Sequence, residues 1–199
     1  AVIPPAVDAA WAQVVETDFP ARAKVVAAEI ASSQPDVVGL QEASLWRTGP
    51  VPATSPPPPA STPAYDFLQL LLAELQGQYV LASVVDNFDG QLPKTDGTLV
   101  RLTDRDAILV RAGIAWSSPA GGNYATRVPL TSASGPFGTQ LDILRGWTSV
   151  QIEKDGVRFA VYETHLEEES RDPPLYLFQA GQEPPCLDAA DANDDEKVN

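Results

Sequence analysis

The stretch Gln34-Pro35-Asp36-Val37-Val38-Gly39-Leu40-Gln41-Glu42 decides how the rest of the chain is read. Val37, Val38 and Leu40 are strand formers in a run too short for a helix, and Pro35 pushes Gln34 out of helical dihedrals. The stretch therefore predicts a short buried strand. Its carboxyl end delivers Glu42. In layered α/β and sheet-sandwich domains that edge is where loops gather and ligands bind. Spacing alone leaves two readings of Glu42 open: a solvated residue after a core strand, or a carboxylate presented for chemistry.

Upstream, ordinary start and stop signals lead into this strand. Residues Val7 to Glu16 predict a short helix with Val7, Trp11, Val14 and Val15 on one face. Asp18 is a suitable N-cap and Pro20 suits an early helical position. Ala21 to Ser33 then predicts a second helix that buries Ala23, Val26, Ala27 and Ile30.

Downstream, Ala43 to Ala64 holds seven prolines, four of them consecutive at Pro56 to Pro59, and predicts a surface loop. Its readings are an extended spacer or a recruitment motif. Tyr65 to Leu75 predicts a helix, stopped near Gly77, and Tyr79 to Val85 a strand followed by a polar loop through Thr103. Asp104-Arg105-Asp106 leads into the strand Ala107-Ile108-Leu109-Val110-Arg111. Residues Gly113 to Leu144 read as irregular, with short possible strands among several Gly, Ser and Pro breaks. Trp147 to Glu153 and Val157 to Thr164 alternate as strands, and Lys154-Asp155-Gly156 between them is a strong hairpin signal. The second of these strands ends on His165. Pro173 to Gln182 reads as a helix, and the acidic segment 183–199 as irregular chain.

The 199 residues, 44% of them hydrophobic, suit one domain with a sizeable core. No run is long and apolar enough for a membrane span, and no signal peptide is visible. The chain opens on Ala1 and holds no methionine, so it is expected to be processed, trimmed or partial. A net charge of -14 argues against tight sequence-independent binding to nucleic acid, which depends on Lys and Arg displacing counterions from phosphates. Acidity does not exclude a phosphate substrate, because carboxylates can recruit Mg²⁺ or Ca²⁺ and the ion then supplies the positive charge. The single Cys186 and the single His165 exclude an intrachain disulfide, a Cys-based zinc site and a His-rich metal cage within this chain.

Two strands far apart in sequence thus end on Glu42 and His165. An acid that holds a divalent ion, a histidine that handles a proton or a phosphoryl oxygen, and an arginine that offsets charge suit metal-assisted attack on a phosphate.

The words themselves carry a resemblance. Arg22-Ala23, then Pro35-Asp36-Val37-Val38-Gly39-Leu40-Gln41-Glu42, Asp104 to Arg111, Arg145-Gly146-Trp147, and Tyr162-Glu163-Thr164-His165-Leu166-Glu167 resemble, in the same order, the endonuclease/exonuclease/phosphatase superfamily. That superfamily includes DNase I-like nucleases, sphingomyelinases and inositol-phosphate phosphatases. The similarity runs from about Pro20 to Glu167, and its most specific part is the first strand word followed by the Thr-His-Leu-Glu word.

The resemblance implies an α/β, DNase I-like four-layered sandwich of two packed mixed sheets, formed by a single domain over residues 1–199 with its site at one end. It implies Glu42 as the metal ligand, for Mg²⁺ or else Ca²⁺ or Mn²⁺, and His165 as the histidine on the scissile phosphate. Arg145 corresponds loosely to an arginine before the late strand of the nuclease branch. Asp106 falls where the family places bracing charges, although an ion pair with Arg105 or Arg111 is the simpler reading. Asp191 and Asn193, in Ala190-Asp191-Ala192-Asn193, are the nearest match to the family's Gly-Asp-x-Asn word, whose Asp activates water and whose Asn contacts phosphate.

Three features depart from the family pattern. No strand ending in Asn precedes Val7, the Asp191 word follows a poor strand, and no closing Ser-Asp-His word occurs within the 199 residues. The chain is accordingly expected to be a C-terminally incomplete member of a bacterial secreted type, extracellular or periplasmic, with a cytoplasmic location as the alternative. Its expected function is metal-dependent hydrolysis of a phosphate ester in a small molecule, a lipid headgroup or a nucleic acid. The acidic surface favours a small or lipid-borne ester over duplex DNA. The rival reading is a catalytically incomplete homologue acting as a binding or structural module. Oligomeric state is left open.

Overall fold

One strand of 14 residues, β5 (Thr98–Arg111), organises the larger sheet. The computed structural model describes residues 3–51, 57–125, 128–129 and 142–166. Along one edge of β5 lies β4 (Tyr79–Pro93), antiparallel throughout its length. Along the other edge lie β1 (Val37–Leu40) and then β2 (Leu45–Pro50), end to end, with β3 (Thr62–Asp66) outside β2. A smaller sheet holds β6 (Ala115–Asn123), β9 (Gly146–Lys154) and β10 (Val157–Thr164) in the order β10-β9-β6. A short pair, β7 (Val128–Pro129) and β8 (Asp142–Ile143), stands apart.

The alternation of side chains along β5 makes two cores. Ala107 and Leu109 face helices α2 (Phe19–Ser33) and α3 (Phe67–Glu74), where they meet Ala27, Ile30, Leu68 and Leu71. Ile108 and Val110 face the smaller sheet, where they meet Val150 and Ile152. Helices, larger sheet and smaller sheet are therefore three stacked layers among the described residues. A further helix, α1 (Ile3–Glu16), packs near β4.

The first two helices stand where expected, although Val15 is exposed rather than on the packed face of the first; the third begins at Phe67, because Tyr65 and Asp66 belong to β3. Asp18 caps α2 by accepting from the Ala21 N–H, and Ala23, Ala27 and Ile30 are buried. Asp66 caps α3 in the same manner, accepting from Gln69 N–H at 3.2 Å. The β9–β10 hairpin turns on Asp155 and Gly156, at φ 54° and 79°, as an Asp-Gly turn requires.

Four readings need correction. The polar loop expected after Val85 is instead the far half of a long hairpin, with β4 continuing to Pro93 and β5 beginning at Thr98. Polar cross-strand partners hold it beside the buried Leu99 and Val100: Arg101 Nε donates to Asp89 at 2.7 Å, and Thr103 Oγ1 donates to the same carboxylate at 3.1 Å. The region 43–64 contains β2 and the start of β3. Pro50 ends β2, and Pro63 lies on an edge strand, where a missing N–H costs no ladder bond. The irregular region 113–144 includes the nine-residue strand β6. Every strand pairing among the described residues is antiparallel, where mixed sheets were expected. No helix among the described residues is long and apolar enough to cross a membrane. The helix expected at Pro173–Gln182 lies outside the described residues.

Candidate active site

Glu42 sits where the chain passes from β1 to β2 along one edge of β5. Pairing runs to Leu40 opposite Ala107 and resumes at Leu45 opposite Thr103, so the four residues 41–44 face the three residues 104–106. The extra residue bulges the edge, and Glu42 takes it up with a left-handed φ of 54°. A non-glycine residue in that region carries strain, which the surroundings must hold. Asp106 does so, its Oδ1 accepting from the Glu42 N–H at 3.2 Å, while Ala43 N–H donates to the Arg105 carbonyl at 2.7 Å. The Glu42 side chain is left exposed.

Asp106 is fully buried and makes none of the ion pairs that its neighbours suggested. Arg105 binds Asp66 and the Ala43 carbonyl instead, and Arg111 binds Asp36. The partner of Asp106 is Asn87, whose Nδ2 donates to Asp106 Oδ2 at 2.5 Å. Asn87 is itself fully buried at a bulge of β4. Gly146 closes this packing, since a Cβ there would stand 2.8 Å from both Asn87 Oδ1 and the Gly122 carbonyl. Burial raises the Asp106 pKa, against the opposing effect of the Asn87 and Glu42 hydrogen bonds.

Two residues earlier, Asp104 lies on the same face of β5. Burial, then the carboxylates of Asp106 and Glu42, push its pKa up to about 6, although Arg145 and His165 pull the other way. Asp104, Glu42, Ser44 and Arg145 line one cleft of about 370 Å³, with Trp46, Phe88 and Leu102 as its apolar wall.

His165 follows β10, whose end is tied down at Thr164. Thr164 Oγ1 donates to the Gly146 carbonyl at 2.7 Å and lies 2.9 Å from Tyr124 Oη. Gln41 Nε2 donates to the Thr164 carbonyl at 2.8 Å, so the residue before Glu42 is bonded to the residue before His165. Arg145 Nη1 lies 3.1 Å from His165 Nδ1. Arginine has only donors, so Nδ1 accepts, and the ring proton is on Nε2.

Beneath this assembly is Glu163, on the face of β10 that turns toward the larger sheet. It is 8% exposed, and neither carboxyl oxygen has a hydrogen-bond partner among the described residues. Burial, then the charge of Asp106, push its pKa up to about 8, and Gln41 offsets part of that rise. Gly39 lets the side chain in, because a Cβ at that position would stand 3.0 Å from Glu163 Cγ.

Of the residues singled out from sequence, the structure thus brings Glu42, Arg145 and His165 together beside the middle of β5, where β9 begins and β10 ends. Asp191 and Asn193 lie outside the described residues. Sequence reading missed Asn87 and Asp104 as members of the site and gave Asp106 the wrong partner. The one available signal was Asp104-Arg105-Asp106, whose alternate residues must share a strand face. Asn87 left no signal, because a bulge sets its direction. Among the described residues no group of three or more His, Cys, Asp or Glu side chains gathers to hold a metal ion. Glu42 and Asp104 place two carboxylates on one cleft, and Mg²⁺ is commonly bound through one or two carboxylates together with water and substrate phosphate.

No family model matches the chain, and no curated protein matches it. Among solved structures, the chain is similar to the crystal structure of truncated Caenorhabditis elegans TDP2, with 16% identity and a TM-score of 0.44. The match covers 88% of this chain and 50% of that one, so the chain spans about half the length of the structure that it matches.

Proposed function

We propose that the protein is a metal-dependent phosphoric-ester hydrolase of the endonuclease/exonuclease/phosphatase type, with Glu42 and His165 on the two sides of one site. The observation that carries this reading is the bond from Gln41 to the Thr164 carbonyl, which joins the two sequence words at the residues next to their functional ends. Glu42 and Asp104 would hold Mg²⁺, or Ca²⁺ or Mn²⁺ in its place. When bound, such an ion supplies charge neutralisation at the phosphoryl oxygens and an oriented water.

The chain's own residues then divide the remaining work. His165, with Nδ1 accepting from Arg145, presents Nε2–H as a donor to a phosphoryl oxygen. Arg145, in the cleft wall, adds a positive charge beside the same phosphate. Asp106 and Asn87 keep the Glu42 turn from relaxing. Water attacks phosphorus opposite the leaving ester oxygen, with Asp191 as the residue assigned to the water and Asn193 as a phosphate contact.

Hydrolysis of bis(4-nitrophenyl) phosphate with Mg²⁺, before and after chelation, tests the reading. Turnover that the chelator abolishes supports it. No chelator-sensitive turnover leaves the binding-module reading in its place.

A further inference from the structure

We propose that an apolar groove beside the cleft receives the alkyl arm of the substrate, so that the protein acts on phosphodiesters bearing an n-alkyl chain. This inference rests on the hydrolase reading above.

The groove and the cleft both lie along β5. Its even-numbered face presents, in order, Val100 and Leu102, then Asp104 and Asp106, then Ile108 and Val110. The last pair is in the core between the sheets, and the middle pair belongs to the site. The first pair is the floor of a second pocket of about 440 Å³, roofed by α1 through Ala6, Ala10 and Trp11. That volume falls within the roughly 300–1,000 Å³ typical of ligand pockets. Trp46, Phe88 and Leu102 line both pockets, so groove and cleft adjoin. At about 3.4 Å per residue, Leu102 and Val100 lie roughly 7 and 14 Å along the strand from Asp104. An alkyl chain esterified to a phosphate in the cleft would run along this floor.

The walls are held in place. Thr95 Oγ1 donates to Asp8 at 2.5 Å, fixing α1 to the β4–β5 turn, and Trp11 packs against Trp46 at 5.9 Å. Among the described residues, the one polar side chain on the lining is Gln91, whose Oε1 is already engaged with the Ala60 N–H at 2.9 Å. A polar substituent would find little there to replace its hydration, whereas an alkyl arm needs nothing else. The net charge of -14 adds an independent argument, since a monoanionic ester avoids the repulsion that a polyanion would meet.

The test measures kcat/KM for methyl, butyl and octyl 4-nitrophenyl phosphate, and tryptophan fluorescence on titration with octyl phosphate or inorganic phosphate. It uses the wild-type protein and the variants Ala10→Phe and Ala6→Phe, whose exposed positions on α1 tolerate a larger side chain. Thermal melts check that the variants are folded. The wild-type kcat/KM is expected to rise about threefold to fourfold per added methylene until the groove is filled. Octyl phosphate is expected to bind well below the concentration needed for inorganic phosphate, and both preferences should vanish in a folded Ala10→Phe or Ala6→Phe protein. Equal binding of the two phosphates overturns the inference whatever the turnover, as does a chain-length preference that survives both variants. A dimer that Ala10→Phe dissolves, without chain-length dependence, would assign the groove to a second copy and also overturn it. Tight octyl phosphate binding with no hydrolysis of any ester defeats the hydrolase reading and leaves the apolar site standing.

Discussion

Gln41 Nε2 donates to the Thr164 carbonyl at 2.8 Å, across 123 residues of sequence. Glu42 and His165 each follow one member of this pair, so the bond sets how far apart the two functional ends stand. Removing it should loosen the site more than the fold. Gln41→Ala is expected to lower kcat/KM for a phosphodiester by about tenfold, while costing only about 1 kcal/mol of stability. Steady-state kinetics and urea unfolding on the same preparation check both halves.

The Arg145 contact fixes the state of His165. Because the chain has one histidine, its ring nitrogens can be read by NMR without assignment. A long-range ¹H–¹⁵N spectrum at pH 8.5 is expected to show the Nε2–H tautomer in the wild-type protein and a tautomer mixture in Arg145→Ala. The same variant should lose about 100-fold in kcat/KM, the scale of one removed donor to a developing phosphoryl charge.

Asn87 and Asp106 form a buried pair that supports the Glu42 turn without touching the cleft itself. Asn87→Ala leaves a fully buried carboxyl without its side-chain partner and should cost about 3 kcal/mol in urea unfolding. Gly146→Ala presses on the same pair from the other side, at 2.8 Å from Asn87 Oδ1, and should destabilise as well.

Glu163 makes stability depend on pH in the direction opposite to a salt-bridged acid. Its carboxyl has a pKa near 8 in the folded chain against an ordinary value of 4.5, so between these values the folded state holds a proton that the unfolded state has released. Stability should therefore fall as pH rises from about 4.5 to about 8, and level off above. Glu163→Gln keeps the shape and removes the titration. It is expected to flatten the part of that dependence above about pH 6, below which Asp104 contributes a fall of its own, and to gain on the order of 1–3 kcal/mol at pH 7, measured by urea unfolding at pH 5, 7 and 8.5.

Local signals were legible wherever chemistry acts over a few residues. Asp18 before Pro20 and Asp155-Gly156 each announce a cap or a turn that is present in the structure. The β4–β5 hairpin was hidden because its far half is held by Asp89, Arg101 and Thr103, whose pairing across strands has no periodic signature. In the site, Glu42, Arg145 and His165 were legible as ends of words, and they meet. Asn87 and Glu163 were not, because each acts through a neighbour that only folding supplies: a bulge for the first, and the bare backbone of Gly39 for the second.

The most direct test of the central claim, that Glu42 and His165 serve one site, is a double-mutant cycle. It measures kcat/KM for bis(4-nitrophenyl) phosphate with saturating Mg²⁺ in the wild-type protein, Glu42→Ala, His165→Ala and the double variant. Each single change is expected to cost about 100-fold or more, and the double variant little more than the worse single one, because residues that act as a unit are lost together. Wild-type turnover in either folded single variant would contradict the account.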